Sequence, residues 1–347
     1  MVELIEGVRA AVWDGRALTV EDVALEAPGA GEVTVRLLAS GICHSDLNVI
    51  DGSSAVPPPV VLGHEGAGIV DRLGDGVRDV AVGNEVMVST MTPCGTCPSC
   101  RAGRPSRCPA TYGSPSYRFR WRDQPVRTYA NCSSFATHTT VRASQLVPVA
   151  GLPTAAAALI GCAVSTGWGA VRNVAQVVAG ETVVVIGVGG IGVNAIAAAR
   201  AAGAARIVAV DIDASKEAAA LRFGADEFVV DVALVDRSDV AIECSGAPAA
   251  IDAALRLAST VALVGIPPVD AEVRINARSL VLGRRVLGSL NGDVDPACDL
   301  PTIVAAIRGG SLDVAAQVTR TWPLDAIHDA IAAVRGGEVI RAVLDLR

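Results

Sequence analysis

Over residues 1–90 the apolar positions fall in short runs, some of them alternating with polar ones, cut by Gly, Asp and Pro. Val8–Trp13, Leu18–Val23, Glu32–Ala39, Gly68–Leu73 and Glu85–Val88 therefore predict strands. Residues 91–125 are rich in Cys, Pro, Arg, Ser and Gly, have no period and predict a loop region. So long a loop inside a compact domain needs a staple or a function. Near residue 160 the pattern changes. Strands at Val183–Ile186, Arg206–Val210, Glu227–Val230, Val240–Glu243 and Thr260–Val264 alternate with helices at Ile191–Ala202, Lys216–Phe223 and 249–258. That alternation implies βαβ units and a doubly wound parallel sheet, an α/β fold. Beyond about 290 it stops. Helices at Leu300–Arg308 and Leu324–Arg335 and a strand at Ile340–Leu346 follow.

Length and charge narrow the class. A chain of 347 residues exceeds one ordinary domain, so two are expected. A hydrophobic share of 51% rules out disorder. A net charge of −7 and an aromatic share of 3% speak against a nucleic-acid partner, which needs a basic face or stacking platforms. Residues 148–171 and 183–203 are greasy, but Gly, Ser165, Thr166, Asn194 and Arg200 interrupt them. They read as buried elements, so no membrane partner is expected. No basic segment followed by an apolar one opens the chain, and the cysteine count is odd, nine. A cytoplasmic, reducing location is the expectation, and clustered cysteines there bind metal.

Gly187-Val-Gly189-Gly190-Ile191-Gly192 satisfies G-x-G-x-x-G between a predicted strand and a predicted helix. Gly187 permits the turn, Gly189 lets backbone approach a pyrophosphate, and Gly192 lets helix pack on strand. The helix N-terminus adds free N–H groups and a positive dipole end. Asp211 follows Gly192 by 19 residues at the end of the next strand, where a carboxylate accepts the ribose hydroxyls of NAD and repels a 2′-phosphate. No arginine follows in Ile212–Ser215, and Lys216 can support the same ribose.

Cys94, Cys97, Cys100 and Cys108 can give four thiolates to one ion, a closed structural zinc site. An iron–sulfur cluster is the rival, though ferredoxin spacing would put the last cysteine nearer. A second constellation is dispersed: Cys43, His64 and Cys162 would make a Cys2His zinc site with one open position. Singly, each has a bland reading as a packing thiol or a core histidine.

The stretches GICHSD (41–46), GHEGAG (63–68), GCAVSTG (161–167), GVGGIG (187–192), VDIDASK (210–216) and IRAVLDL (340–346), with the four-cysteine lobe, occur in the order of a known family. In these the chain resembles, end to end, the zinc-containing alcohol dehydrogenases of the medium-chain dehydrogenase/reductase superfamily. GCAVSTG is most similar to the branch holding glutathione-dependent formaldehyde dehydrogenases and liver-type enzymes. The resemblance implies a Rossmann domain at 163–290 inserted in a GroES-like β-barrel catalytic domain of 1–162 and 291–347, with the structural zinc lobe at 91–110. It implies two zinc ions per chain, NAD, a homodimer or homotetramer, and hydride transfer between a primary or secondary alcohol and NAD.

By motif, Cys43, His64 and Cys162 match the catalytic zinc ligands, with Glu65 as the carboxylate beside the metal. Asp46 matches the group orienting His64, and Ser45 the hydroxyl that takes the substrate proton. His44 and Arg341 match pyrophosphate contacts, and Thr166 the residue behind the nicotinamide. Two positions depart from the pattern. Asn48 stands where many members have the histidine ending a proton relay, so protons must leave through ribose and water or another group. The stretch between Cys108 and Arg118 is also short. Tyr129, Trp168 and Met91 are candidate pocket residues. Two other functions stay open: a dehydrogenase or reductase of a low-molecular-weight thiol adduct (S-hydroxymethyl or S-nitroso), held by arginines 118, 120, 122 and 127, and an inactive NAD-binding zinc protein.

Overall fold

The computed structural model describes residues 3–112 and 115–347. Gly113 and Ser114, inside the short stretch after Cys108, lie outside the described residues. The chain divides into two compact units, 1–162 with 314–347, and 163–313.

The first unit holds two β-layers. Strands Leu4–Trp13, Leu18–Glu26, Ser116–Trp121, Gln124–Thr128 and Val60–Val61 close into a small barrel. Its inside is filled by Val8, Ala10, Val12, Leu25, Phe119 and Val126, all buried. Each fully buried large apolar side chain contributes roughly 1.5–3 kcal/mol, so alternation alone selects which face turns inward. The second layer is a mixed sheet around the long strand Glu32–Ile42, which pairs antiparallel with Glu65–Leu73, His138–Arg142 and Arg341–Asp345. This pairing brings GHEGAG beside GICHSD and sets the C-terminal Arg341 next to both.

Where a loop was expected, the structure has two strands, Ser116–Trp121 and Gln124–Thr128, hidden by their composition. Tyr117-Arg118-Phe119-Arg120-Trp121 alternates, and its Phe119 is fully buried in the barrel. On the other face Arg118 and Arg120 pair with Glu26 and Glu32, which offsets the cost of burying charge, so the segment is a strand despite its polar neighbours. The cysteine lobe before it has only short helical turns, Pro98–Arg101, Pro105–Arg107 and Pro109–Tyr112.

The second unit is a six-stranded parallel sheet in the order Glu227–Val229, Arg206–Val210, Thr182–Ile186, Ser238–Glu243, Ala258–Leu263, Arg285–Gly288. Val183, Val184 and Val185 are fully buried in mid-sheet, as expected of a strand covered on both faces. The chain winds outward in both directions from Thr182–Ile186, so the switch point lies between that strand and Ser238–Glu243. Residues 291–313, expected with the catalytic domain, lie with this unit instead. Their ties are local: Asn173 Nδ2 donates to Asp299 Oδ2 at 2.9 Å, and Gly292 lies so close to Gly169 that a Cβ there would sit 2.1 Å from its carbonyl oxygen.

One helical stretch, Thr154–Ala175, is long and apolar enough to cross a membrane, but 83% of its most apolar window is buried within folded protein.

Candidate functional site

Cys43 ends an extended segment and caps the short helix His44–Ile50. His64 and Glu65 lie at the start of the strand Glu65–Leu73, one strand away. Cys162 sits on a π-type turn, Ile160–Val164, that continues the helix Thr154–Leu159. Such a turn re-aims a side chain that a regular helix would point elsewhere. The result is one cluster: ligand atoms of Cys43, His64, Glu65 and Cys162 all lie within 4.8 Å of one another. His64 Nε2 is 3.3 Å from Cys162 Sγ. Tetrahedral zinc with bonds of about 2.0–2.3 Å spaces its N and S ligands about 3.6–3.8 Å apart, so this donor set fits that ion with little adjustment.

Asp46 organises the cluster. Its Oδ1 accepts from His64 Nδ1 at 3.0 Å and from the Gly63 N–H at 3.1 Å, while Oδ2 accepts from the Cys43 N–H at 3.1 Å. With Nδ1 committed, Nε2 is the nitrogen turned to the thiols. Burial would lower His64, but Asp46 and Cys43 outweigh it and hold the imidazole well above its ordinary range. A hydrogen bond from Cys162 draws Cys43 well below the usual thiol range, against burial and with help from His64. Cys162 is pushed up in return, because its thiol donates to Cys43, is buried, and lies beside the Cys43 charge. Two thiolates this close need a cation to carry both charges, which is the chemistry of a zinc site.

Glu65 is fully buried and its Oε2 pairs with Arg341, itself 6% exposed. Burial raises the Glu65 carboxyl and Arg341 opposes that rise. Glu65 Oε1 and Arg341 Nε have no hydrogen-bond partner. The resemblance assigned Arg341 to a pyrophosphate; here one of its nitrogens is spent on Glu65. Ser45 Oγ lies 3.8 Å from Cys43 Sγ, and the Ser45 carbonyl accepts the Tyr129 hydroxyl at 3.1 Å. The Tyr129 ring meets His64 edge-on at 5.7 Å. Burial and the nearby Asp46, Cys43 and Cys162 raise the Tyr129 phenol, so it keeps its proton and remains a donor. His44 is exposed at the start of its helix. The Asn48 carbonyl holds the next loop, accepting from the Ser54 N–H at 2.9 Å.

Ser134 was not singled out in the sequence. Its Oγ accepts from the Glu65 N–H at 3.1 Å and bonds Ser40 Oγ at 2.6 Å, all of it buried. A lone serine in an irregular segment carries no local signal of that task. Met91 and Trp168 are buried at 1% and 8%, packed as core residues, and Arg172 lies over the Trp168 ring.

In the lobe, the sulfurs of Cys94, Cys97, Cys100 and Cys108 also lie within 4.8 Å of one another. Main-chain N–H groups aim at them: Cys94 N–H at Cys108 and Cys97 N–H at Cys94, each 3.3 Å, and Cys100 N–H at Cys97, 3.4 Å. The Thr96 N–H and hydroxyl and the Cys97 N–H bring the Cys94 thiol down to about 6. Four sulfurs within reach of one ion, with main-chain donors converging on them, fit closed tetrahedral zinc.

In the second unit, Gly187 has φ +93°, and a Cβ on Gly192 would sit 1.9 Å from the Gly187 carbonyl oxygen. Both positions therefore require glycine. Gly189 has nothing within 4 Å of where its Cβ would lie, so the backbone there is open to a phosphate. Gly190 and Ile191 begin the helix Gly190–Ala201, whose first N–H groups face that opening. Asp211 Oδ2 accepts from the Val188 N–H at 2.7 Å and Oδ1 from the Asp213 N–H at 3.0 Å, which fixes the carboxylate with lone pairs to spare for ribose hydroxyls. These residues fit NAD. Lys216 lies 3.8 Å from Asp213, on the same turn. Thr166 is buried on the helix Ser165–Gly169. Glu243, unnoticed in the sequence, is fully buried at the switch point and accepts from the Ser245 N–H at 2.8 Å and the Gly246 N–H at 2.9 Å.

Residues 29–151 match the family of alcohol dehydrogenase GroES-like domains, and residues 190–307 that of zinc-binding dehydrogenases. The "Probable S-(hydroxymethyl)glutathione dehydrogenase 1" of Schizosaccharomyces pombe is 34% identical over 97% of this chain and 96% of its own. A solved alcohol dehydrogenase zinc-binding domain protein from Burkholderia ambifaria superposes with TM-score 0.92 at 31% identity, over 99% of this chain and 100% of that one. The benzyl alcohol dehydrogenase of Acinetobacter calcoaceticus superposes with TM-score 0.91 at 28% identity, over 98% and 99%.

Proposed function

We propose that this chain, which belongs to the zinc-containing alcohol dehydrogenase family of the medium-chain dehydrogenase/reductase superfamily, acts on uncharged primary or secondary alcohols and the matching aldehydes or ketones. The class of reaction follows from the family: it is a zinc-dependent enzyme that moves a hydride between an alcohol and NAD. The observation that carries the proposal is the buried Cys43–His64–Cys162 cluster with Glu65 beside it.

Zinc, when bound, supplies Lewis-acid polarisation of the substrate oxygen, and NAD supplies the hydride acceptor. Cys43, His64 and Cys162 would hold the metal. Asp46 orients His64, and Arg341 keeps Glu65 charged beside the site. The Ser45 hydroxyl takes the substrate proton, its segment held by Tyr129. Asn48 offers no base, so the proton passes outward to solvent. Cys94, Cys97, Cys100 and Cys108 would hold the second zinc. Gly187, Gly189, Gly190, Ile191, Gly192 and Asp211 hold NAD, with Lys216 at the ribose, Thr166 behind the nicotinamide and His44 at the pyrophosphate. The first unit is the catalytic domain and the second the NAD-binding domain.

The thiol-adduct reading has less support. Arg118 pairs with Glu26 and Glu32, Arg120 with Glu26 at 3.9 Å and Arg122 with Glu21 at 3.7 Å, and Arg127 stacks on Tyr117. None of these is left over for a carboxylated thiol. A cytoplasmic location fits the reduced thiols that both zinc sites need. A homodimer fits the second unit's bare edge strand Arg285–Gly288 and the exposure of Ile266, Val269, Val281 and Leu282, at 75–99%.

The deciding experiment is NAD reduction over a panel of aliphatic, benzylic and secondary alcohols, with and without glutathione plus formaldehyde. Turnover of free alcohols without added thiol is expected. Turnover only with the thiol adduct would shift the assignment to the second reading. Light scattering measures the assembly.

A further inference from the structure

Four of the second unit's arginines that make no ion pair among the described residues lie together. Elsewhere in that unit Arg200 pairs with Asp226, Arg206 with Glu227 and Arg222 with Asp313. Arg237, Arg256, Arg274 and Arg284 instead line one cavity of about 590 Å³. Among the described residues, no carboxylate lies within 4.0 Å of any of them. Asp252 is the one acid in the lining, so four arginines less one aspartate leave a formal charge of +3. The whole chain carries −7. A local inversion of that size, set in a concavity that focuses the field, attracts small anions.

Part of the cluster has a structural task. The helix Pro248–Leu257 ends here, and Arg284 donates to the Leu255 carbonyl, capping it. Arg256 lies in the last turn of the same helix, where a cation is favoured. Arg237 and Arg274 have no such explanation, since among the described residues neither side chain makes a hydrogen bond or ion pair. They come from the segment before the strand Ser238–Glu243 and from the loop before the helix Ala277–Val281. Four sequence-distant segments thus converge on one cavity, with Leu255 and Ile275 giving it an apolar wall.

The place in the sheet separates this cavity from the dinucleotide turn. Arg237, Arg256 and Arg284 each stand just before a strand begins, at Ser238, Ala258 and Arg285. The glycine turn follows the end of Thr182–Ile186, and all these strands are parallel. The two sites therefore occupy opposite ends of the sheet.

We propose that this cavity binds a small polyanion, one carrying phosphate or carboxylate groups on a short carbon frame, at a site distinct from that of NAD. Guanidinium forks recognise such groups two bonds at a time. The apolar wall contacts the frame, and Asp252 can accept from a hydroxyl on it.

The test is calorimetric titration of the zinc-loaded protein, saturated with NAD so that its own phosphate-binding turn is filled, with inorganic pyrophosphate and separately with citrate. One saturable site per chain is expected for at least one probe, weakening as salt rises. R237Q combined with R274Q should weaken it by about tenfold or more per arginine, and D252N should tighten it. Arg284 is left intact because it caps a helix. Unchanged far-UV circular dichroism and NAD affinity establish that the variants fold, and R237Q alone replaces the pair if it does not. Absence of saturable binding by both probes at about 1 mM, or binding indifferent to R237Q and R274Q, overturns the proposal.

Discussion

The Asp46 carboxylate accepts from His64 Nδ1 at 3.0 Å and, through its other oxygen, from the Cys43 N–H at 3.1 Å, so one buried side chain positions two residues of the metal cluster. Asp46→Asn keeps the shape but loses the charge and one acceptor. Zinc affinity at that site should fall about 10–100-fold. Metal retention against a graded chelator measures it, and retention equal to the parent's would show that Asp46 only packs.

Two separate zinc sites should be separable by substitution. Cys43→Ala should lose one of two zinc ions per chain and all turnover. Cys97→Ser should lose the other, lower the thermal midpoint and leave ligand atoms of the first site in place. Elemental analysis of each purified variant distinguishes them. Loss of both ions from Cys43→Ala in a folded protein would contradict two independent sites.

Arg341 is the sole hydrogen-bonding cation of the buried Glu65 carboxylate in the described residues. Arg341→Met strands that charge, and breaking a buried pair from one side costs about 3–5 kcal/mol. Arg341→Met with Glu65→Gln should recover much of that stability without recovering full activity. Urea unfolding of the single and double variants gives the comparison.

Asp211→Gly should raise the Kd for NAD and narrow the preference for NAD over NADP by about tenfold or more, since the carboxylate that accepts ribose hydroxyls and repels a 2′-phosphate is gone. The same carboxylate accepts the Val188 N–H, so the glycine turn loosens too. Cofactor titration monitored by nicotinamide fluorescence reads both effects.

Tyr129→Phe removes the hydroxyl that donates to the Ser45 carbonyl. The ring still meets His64, so zinc content should hold while kcat/KM falls about tenfold, the worth of one hydrogen bond of ordinary strength. A loss of zinc instead would place Tyr129 in support of His64 alone.

Several features were legible in the chain alone because their signals are local. The run from Gly187 to Gly192 needs only its own backbone: φ +93° at Gly187 and the contact of Gly192 on its carbonyl are properties of one turn. The βαβ alternation and the spacing of Cys94, Cys97, Cys100 and Cys108 are equally short-range. What the strand Glu32–Ile42 brings together was decided by tertiary pairing. Its antiparallel partners set His64 and Glu65 beside Cys43 and carry Arg341 to Glu65, 276 residues away in sequence. Cys162 enters that cluster because a π-type turn aims it there. Arginines 118, 120 and 122 looked like a loop free to hold a substrate, yet Phe119 is buried between them and glutamates of neighbouring segments pair with them. Composition records which groups a chain owns. Which of them neutralise one another is fixed only when strands far apart in sequence exchange hydrogen bonds, and that pairing leaves no periodicity for a single segment to show.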